Sequence, residues 1–231
     1  MKNTTLCMLP LMLVTMSINS LAAGMGADDP LLFYLKADKF EVRDSDEGSL
    51  QVWELDAWLG HDLDKLWLKS SGERHRGEVE RNEIDILYSK AISPYWDLQM
   101  GLRHEFRPKP AEDSIGIGVM GLAPYLLEID ANAFVNDDGD INVRLDVEYE
   151  YLFSQRLVLV PNLELDLNSD DHNTRGIVSG LSAAELGLRL HYEIRRELSP
   201  YVGINYEKRF GNASLQESSE TQLLAGLSFW F

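Results

Sequence analysis

The residues of this chain best suited to chemistry are carboxylates placed at every second position. Asp146, Glu148 and Glu150 follow Asn142 and Arg144 in this way, Glu164 and Asp166 stand between Asn162 and Asn168, and Glu185 leads through Arg189 and His191 to Glu193. Glu54, Asp56 and Glu105 lie on similar rows, with Arg103, Arg144, Arg189 and Arg195 interleaved among the acids. Carboxylate and imidazole ligands suit divalent metals, while a soft metal asks for thioether or thiolate. His191, Glu193, Glu164, Glu148, Glu150 and Met120 are therefore the candidate metal ligands, each a weak and transient one, of a cation path. Much of the same charge must be structural, because acids and guanidiniums confined together need one another as partners.

The remaining candidates are sparse. His61 and His75 fall in connecting segments, His104 on an apolar row and His172 in the longest connection, and none forms a close pair with metal-ligand spacing. Met1, Met8, Met12 and Met16 belong to the leader described below, which leaves Met25, Met100 and Met120. Cys7, the single cysteine, lies in the same leader, so disulfides, thiolate metal sites and cysteine nucleophiles are excluded from the rest.

The elements that carry these residues read as long strands. Ile141, Val143, Leu145, Val147, Tyr149 and Tyr151 alternate with the polar row just named, which gives one apolar and one polar face. Trp96 to Phe106, Leu157 to Leu167 and Ala184 to Ile194 repeat the pattern. Strands of soluble sandwiches average about five or six residues, whereas ~9 to 11 residues cross a bilayer in a tilted barrel strand. Twelve such segments follow one another between 31 and 231, with the first, third and sixth weakest; ten or fourteen strands are the alternatives. The expected fold is an all-β, antiparallel, up-and-down transmembrane β-barrel. Longer acidic connections alternate with tight turns, as outer loops and periplasmic turns do, and the last strand ends in an aromatic, Phe231.

Composition agrees with an exported barrel. The 231 residues hold 38 Asp plus Glu against 21 Lys plus Arg, a formal charge of −17, the wrong sign for a nucleic-acid binder. At 45% hydrophobic residues the chain is also unlike a disordered acidic segment. Lys2, the apolar run Leu6 to Ile18 and small Ser20, Ala22 and Ala23 read as a cleaved signal peptide over 1–23. A short periplasmic segment over 24–30 and a barrel over 31–231 follow. A twelve-stranded bore lies between barrels filled by side chains and those with wide channels, so a narrow, partly plugged, acid-lined lumen is expected.

The runs ILYSKAISPYWDLQMGLRHEFRP from Ile86, GLAPYLLEIDANAF from Gly121 and RGIVSGLSAAELGLRLHYEIRRELSPYVGINYEKRFG from Arg175 resemble the copper resistance protein B family of bacterial outer membranes. The resemblance implies an outer-membrane barrel of copper tolerance, with copper of unspecified oxidation state as the bound ion. It also implies copper export or sequestration, with membrane lipid and periplasmic copper-handling proteins as partners. Copper would not follow from the residue counts alone. The chain departs from the family pattern in one respect: members often carry a Met- and His-rich segment before the barrel, and only Gly24 to Asp29, with Met25, stands there. Two rival readings are a structural or docking barrel without its own metal site and an outer-membrane hydrolase. The hydrolase reading is set aside because barrel hydrolases place a histidine two residues before the serine, and no His-x-Ser occurs.

Overall fold

The computed structural model describes residues 29–45, 48–212 and 217–231. The expected signal peptide and all but the last two residues of the 24–30 segment lie outside them. The strands are β1 (Leu32–Ser45), β2 (Gly48–Gly60), β3 (Asp64–His75), β4 (Glu78–Ser93), β5 (Trp96–Arg107), β6 (Glu112–Ala123) and β7 (Leu127–Asn136). They continue as β8 (Ile141–Tyr149, resumed by Tyr151–Leu152 after a break at Glu150), β9 (Leu157–Asn168), β10 (Gly180–Tyr192), β11 (Leu198–Arg209) and β12 (Ser218–Trp230). Each pairs antiparallel with its sequence neighbours, and β1 pairs with β12, so twelve strands close into a barrel with no free edge.

Alternation dictates the two faces. Phe40, Val42, Leu66, Leu68, Ile86, Leu102, Ile115, Ile117, Leu186, Val202 and Leu223 stand exposed on the outer wall. In water this would be an untenable apolar surface; in a bilayer it is the lipid-facing band. Their strand neighbours, including Glu41, Asp85, Gln99, Arg103, Asn162 and Arg189, are buried inside.

Two differences from the sequence expectation have local causes. The first strand looks blurred because its register shifts between Ala37 and Lys39, a bulge that changes which parity faces inward. Lys39, Glu41 and Arg43 are thus buried while Phe40 and Val42 are exposed. The connections at the loop end are also shorter than expected, because the strands run on past the apolar band. β3 and β4 are joined by Arg76 and Gly77 alone, with φ of 48° and 92°, the paired positive values of a tight hairpin turn. His75, expected in a connection, is the last residue of β3. The mouth bearing the connections after β1, β3, β5, β7, β9 and β11 is the loop end; the other is the turn end.

One inward row is apolar. Tyr34, Trp58, Trp67, Leu87, Gly101, Gly116 and Phe134 are successive cross-strand partners from β1 to β7. Trp67, Leu87 and Phe134 form a buried cluster inside the barrel, against which Trp58 and Met120 pack. Glycine at 116 is required by close approach, since a Cβ there would overlap the Phe134 ring.

Candidate functional site

The interior is crossed by ion pairs between strands four places apart around the ring of twelve. Lys69 of β3 meets Asp130 of β7 at 2.5 Å, Arg144 of β8 meets Glu83 of β4, and Lys39 of β1 meets Glu164 of β9. Lys39 also lies 3.0 Å from Glu54. Arg103 binds both oxygens of Asp85, at 2.8 and 2.7 Å, with its guanidinium 3.7 Å from the centre of the Phe134 ring. Glu41 is the most enclosed of these ionised groups, with its side chain 0% exposed. It accepts hydrogen bonds from Arg43 at 2.7 Å, from Nε and Nη2 of Arg189 at 2.9 Å and from the Tyr201 hydroxyl at 2.9 Å. Arg189 also donates to Asn162, and Arg43 to Glu185. Buried charges need such partners, and the longer of these pairs tie strands that are not neighbours together across the bore.

The register reveals an arrangement no single strand displays. On one side of the barrel the cross-strand row alternates in charge: Lys36, Asp56, Lys69, Asp85, Arg103. On the other side it does not. Asp97, Met120, Asp130, Asp146, Glu164, Glu185, Glu207 and Glu220 are successive direct partners from β5 to β12. Asp97 is the second residue of β5 at the turn end and Glu220 the third of β12 at the loop end, so the row climbs the wall from mouth to mouth. Like charges directly opposed destabilise a sheet. Most steps have a cation or amide nearby, Lys65 at 3.1 Å from Asp97 and Arg43 at 2.9 Å from Glu185 among them. Asp146 and, one inward step along β8, Glu148 make no hydrogen bond or ion pair among the described residues.

At the loop end the connection 169–179 turns back over the bore. Arg175, its side chain 5% exposed, pairs with Glu105 and Glu112, which face each other on β5 and β6, and Val178 is buried beside it. His172 Nε2 lies 2.8 Å from Asp140 Oδ2. The Asn136 amide at Asp140, helped by His172, holds that carboxyl below its ordinary range, and the Ser179 backbone N–H does the same for Asp171. Beneath the connection is a cavity of about 240 Å³ whose lining includes Glu83, Arg144, Asp166 and Arg175.

The six candidate ligands do not converge. Glu164 and Met120 lie on the acidic row, Glu148 faces Glu128 beside it, and Glu150 is exposed at the break in β8. His191 stacks on Tyr201 with ring centres 4.5 Å apart, and its Nε2 is buried without a hydrogen-bond partner. Glu193 lies just past the end of β10, and Arg195 is exposed in the turn beyond it. Among the described residues, no group of three or more His, Cys, Asp or Glu side chains is arranged to hold a metal ion. Asp97, which alternation already put on the polar face of its strand, and Asp130, Glu207 and Glu220, absent from the sequence expectation, complete the acidic row. The alternation of Glu128, Asp130 and Asn132 was a readable signal for Asp130; Glu207 and Glu220 needed the register.

Comparison with known proteins follows the same lines. The family model for copper resistance protein B precursor (CopB) matches residues 31–231. Copper resistance protein B of Escherichia coli is 39% identical over 210 residues, 88% of this chain and 71% of that protein. A copper resistance protein B homolog of Pseudomonas syringae pv. tomato is 36% identical over the same shares. Among solved structures, the NanC porin has a TM-score of 0.56 at 15% identity, covering 86% of this chain and 99% of its own. Outer membrane phospholipase A from Escherichia coli has a TM-score of 0.50 at 14% identity, covering 87% and 92%. At such identities these two likenesses speak for the barrel fold alone.

Proposed function

Since the chain belongs to the copper resistance protein B family of bacterial outer-membrane barrels, whose named role is resistance and not catalysis, we propose that its lumen binds copper and assists copper export across, or sequestration at, the outer membrane. The observation that carries this reading is the acidic row. A purely structural interior would alternate its charges, as the row from Lys36 to Arg103 does. A line of carboxylates from mouth to mouth, broken at Met120, lowers the energy of a cation along this wall. Weak, multiple sites also suit passage better than one tight cage, because an ion must leave as readily as it enters. In this reading Glu164, Glu148, Glu150, Glu193, His191 and Met120 serve as successive transient ligands, joined by Asp146 and Asp130. The turn end, with its short connections, faces the periplasm and its copper-handling proteins.

The test is calorimetric titration of the purified barrel with copper(II), comparing the parent with an Asp146→Asn, Glu148→Gln double variant. These two acids hold no partner in place, so their neutralisation leaves the wall intact. Copper(II) binding weaker by about tenfold or more is expected, with heat-modifiable gel mobility unchanged. Undiminished binding in the folded double variant would refute the lumen route. The cross-lumen ion pairs favour a second reading, a structural or docking barrel, which predicts no copper affinity in the parent either.

A further inference from the structure

Arg144 of β8 is held between two acids on different sides of the lumen. Its Nη1 and Nη2 reach across the bore to Glu83 of β4, the longer contact at 3.4 Å. Its Nε lies 3.5 Å from Oδ2 of Asp166, the residue directly opposite it on β9. At that separation Nε is buried without a hydrogen-bond partner. Buried donors are seldom left unpaired in native proteins, and each exception calls for a cause. Here an acceptor stands ready. Asp166 Oδ1 takes hydrogen bonds from Asn142, Asn168 and Ser182, which hold the carboxylate in place, while the contact with Arg144 falls on Oδ2.

Release of Arg144 by Glu83 would strand neither charge. Glu83 keeps partners on its own side of the barrel: Ser71 Oγ donates to it at 3.0 Å, and Arg81 and Arg103 stand at 3.4 and 3.8 Å. The guanidinium, for its part, gains Asp166. Breaking a buried pair is costly when it leaves one charge uncompensated, and this exchange avoids that cost. Two arrangements that both keep every charge partnered are what a two-state element requires.

The pair of Glu83 and Arg144 also lines two cavities. One is the cavity of about 240 Å³ beneath the connection 169–179. The other, of about 120 Å³, is lined as well by Lys69, Asp130 and Asp146, and Asp146 is one inward step nearer the turn end along β8 than Arg144. We propose that Arg144 is a movable bar between these cavities: paired with Glu83 it spans the bore and separates them, and transferred to Asp166 it lies along its own wall and joins them. The proposal rests on the reading of the lumen as a cation path and adds the step at which that path is interrupted. A cation drawn to Glu83 competes with the guanidinium for the same oxygens, so the passenger itself favours the open arrangement.

Single-channel recording of the purified protein in planar bilayers tests this. Glu83→Gln weakens the hold of the bar across the bore and should raise the ratio of open to closed dwell times about tenfold. A rigid lumen predicts the reverse, since loss of a wall carboxylate lowers cation conductance. Glu83→Asp keeps the charge beside Arg81 and Arg103 but draws it back from Arg144 by one methylene. It should also raise the open fraction, and it serves where the Gln variant does not insert. Asp166→Asn removes the partner of the open arrangement and should lower the open fraction. An open fraction unchanged or lowered in the Glu83 variants would overturn the proposal. Copper(II) calorimetry on the same preparations keeps the two readings apart. Copper binding in the parent with dwell times unmoved by the Glu83 variants defeats the bar alone, and the expected dwell-time changes without copper binding defeat the copper reading alone. Neither copper binding nor conductance in any variant defeats both.

Discussion

Glu41 and Asp146 face the same lumen in opposite circumstances. Glu41 is enclosed by Arg43, Arg189 and Tyr201, so Glu41→Ala would strand two buried guanidiniums. Breaking a buried pair from one side costs about 3–5 kcal/mol, and urea unfolding of the inserted barrel should show a loss of that size. Asp146 has carboxylates directly opposite on both sides, Asp130 and Glu164, and makes no salt bridge among the described residues. Asp146→Asn should leave stability unchanged or raise it, so a loss as large as that of Glu41→Ala would mean Asp146 is a structural acid after all. The sequence marked part of the inward set, Asp146 and Glu164 among it, because period two is a property of one strand, but not Glu41, whose strand changes register at Ala37. It did not reveal which acids are partnered, since Glu41 finds Arg189 from 148 residues away, and nothing local marks that meeting.

At the scale of elements, the connection 169–179 is a closure built on charge. Arg175 bridges Glu105 and Glu112 at the loop end; Arg175→Ala should release the connection and raise single-channel conductance in planar bilayers. Unchanged conductance would mean that the connection does not obstruct the path. The carboxyls that brace it, Asp140 and Asp171, are held below their usual range by Asn136 and by the Ser179 N–H. A depressed carboxyl contributes its stability in full above the unfolded value, about 3.9 for Asp, and loses it as pH falls through the lower folded value. Protease protection of 169–179 should therefore persist through mildly acidic pH and fail only below about pH 4. Strand existence was legible in the sequence at all twelve places, because each segment keeps one apolar face. The ends were not: the β1 bulge and the extension of β3 and β4 into their hairpin depend on register and turn geometry, which alternation does not encode.

For the whole molecule, the acid excess and the bridged bore together predict a poor but selective conductor. Under a salt gradient across a planar bilayer, the reversal potential should report cation preference, at a conductance well below that of sixteen-stranded porins; anion preference would contradict the acidic wall. The seam between β1 and β12 has a consequence for assembly. Lys39, Glu41 and Arg43 all belong to the first strand, and their cross-lumen partners Glu164, Glu185 and Arg189 sit on the ninth and tenth. During biogenesis, those early charges wait for residues synthesised more than a hundred positions later. Before then Glu41 has Arg43 and Lys39 has Glu54, and the remaining partners are gained when the ring shuts. The pairs that span from the first strand to the ninth and tenth therefore add to the stability of the closed ring and to no smaller piece of it.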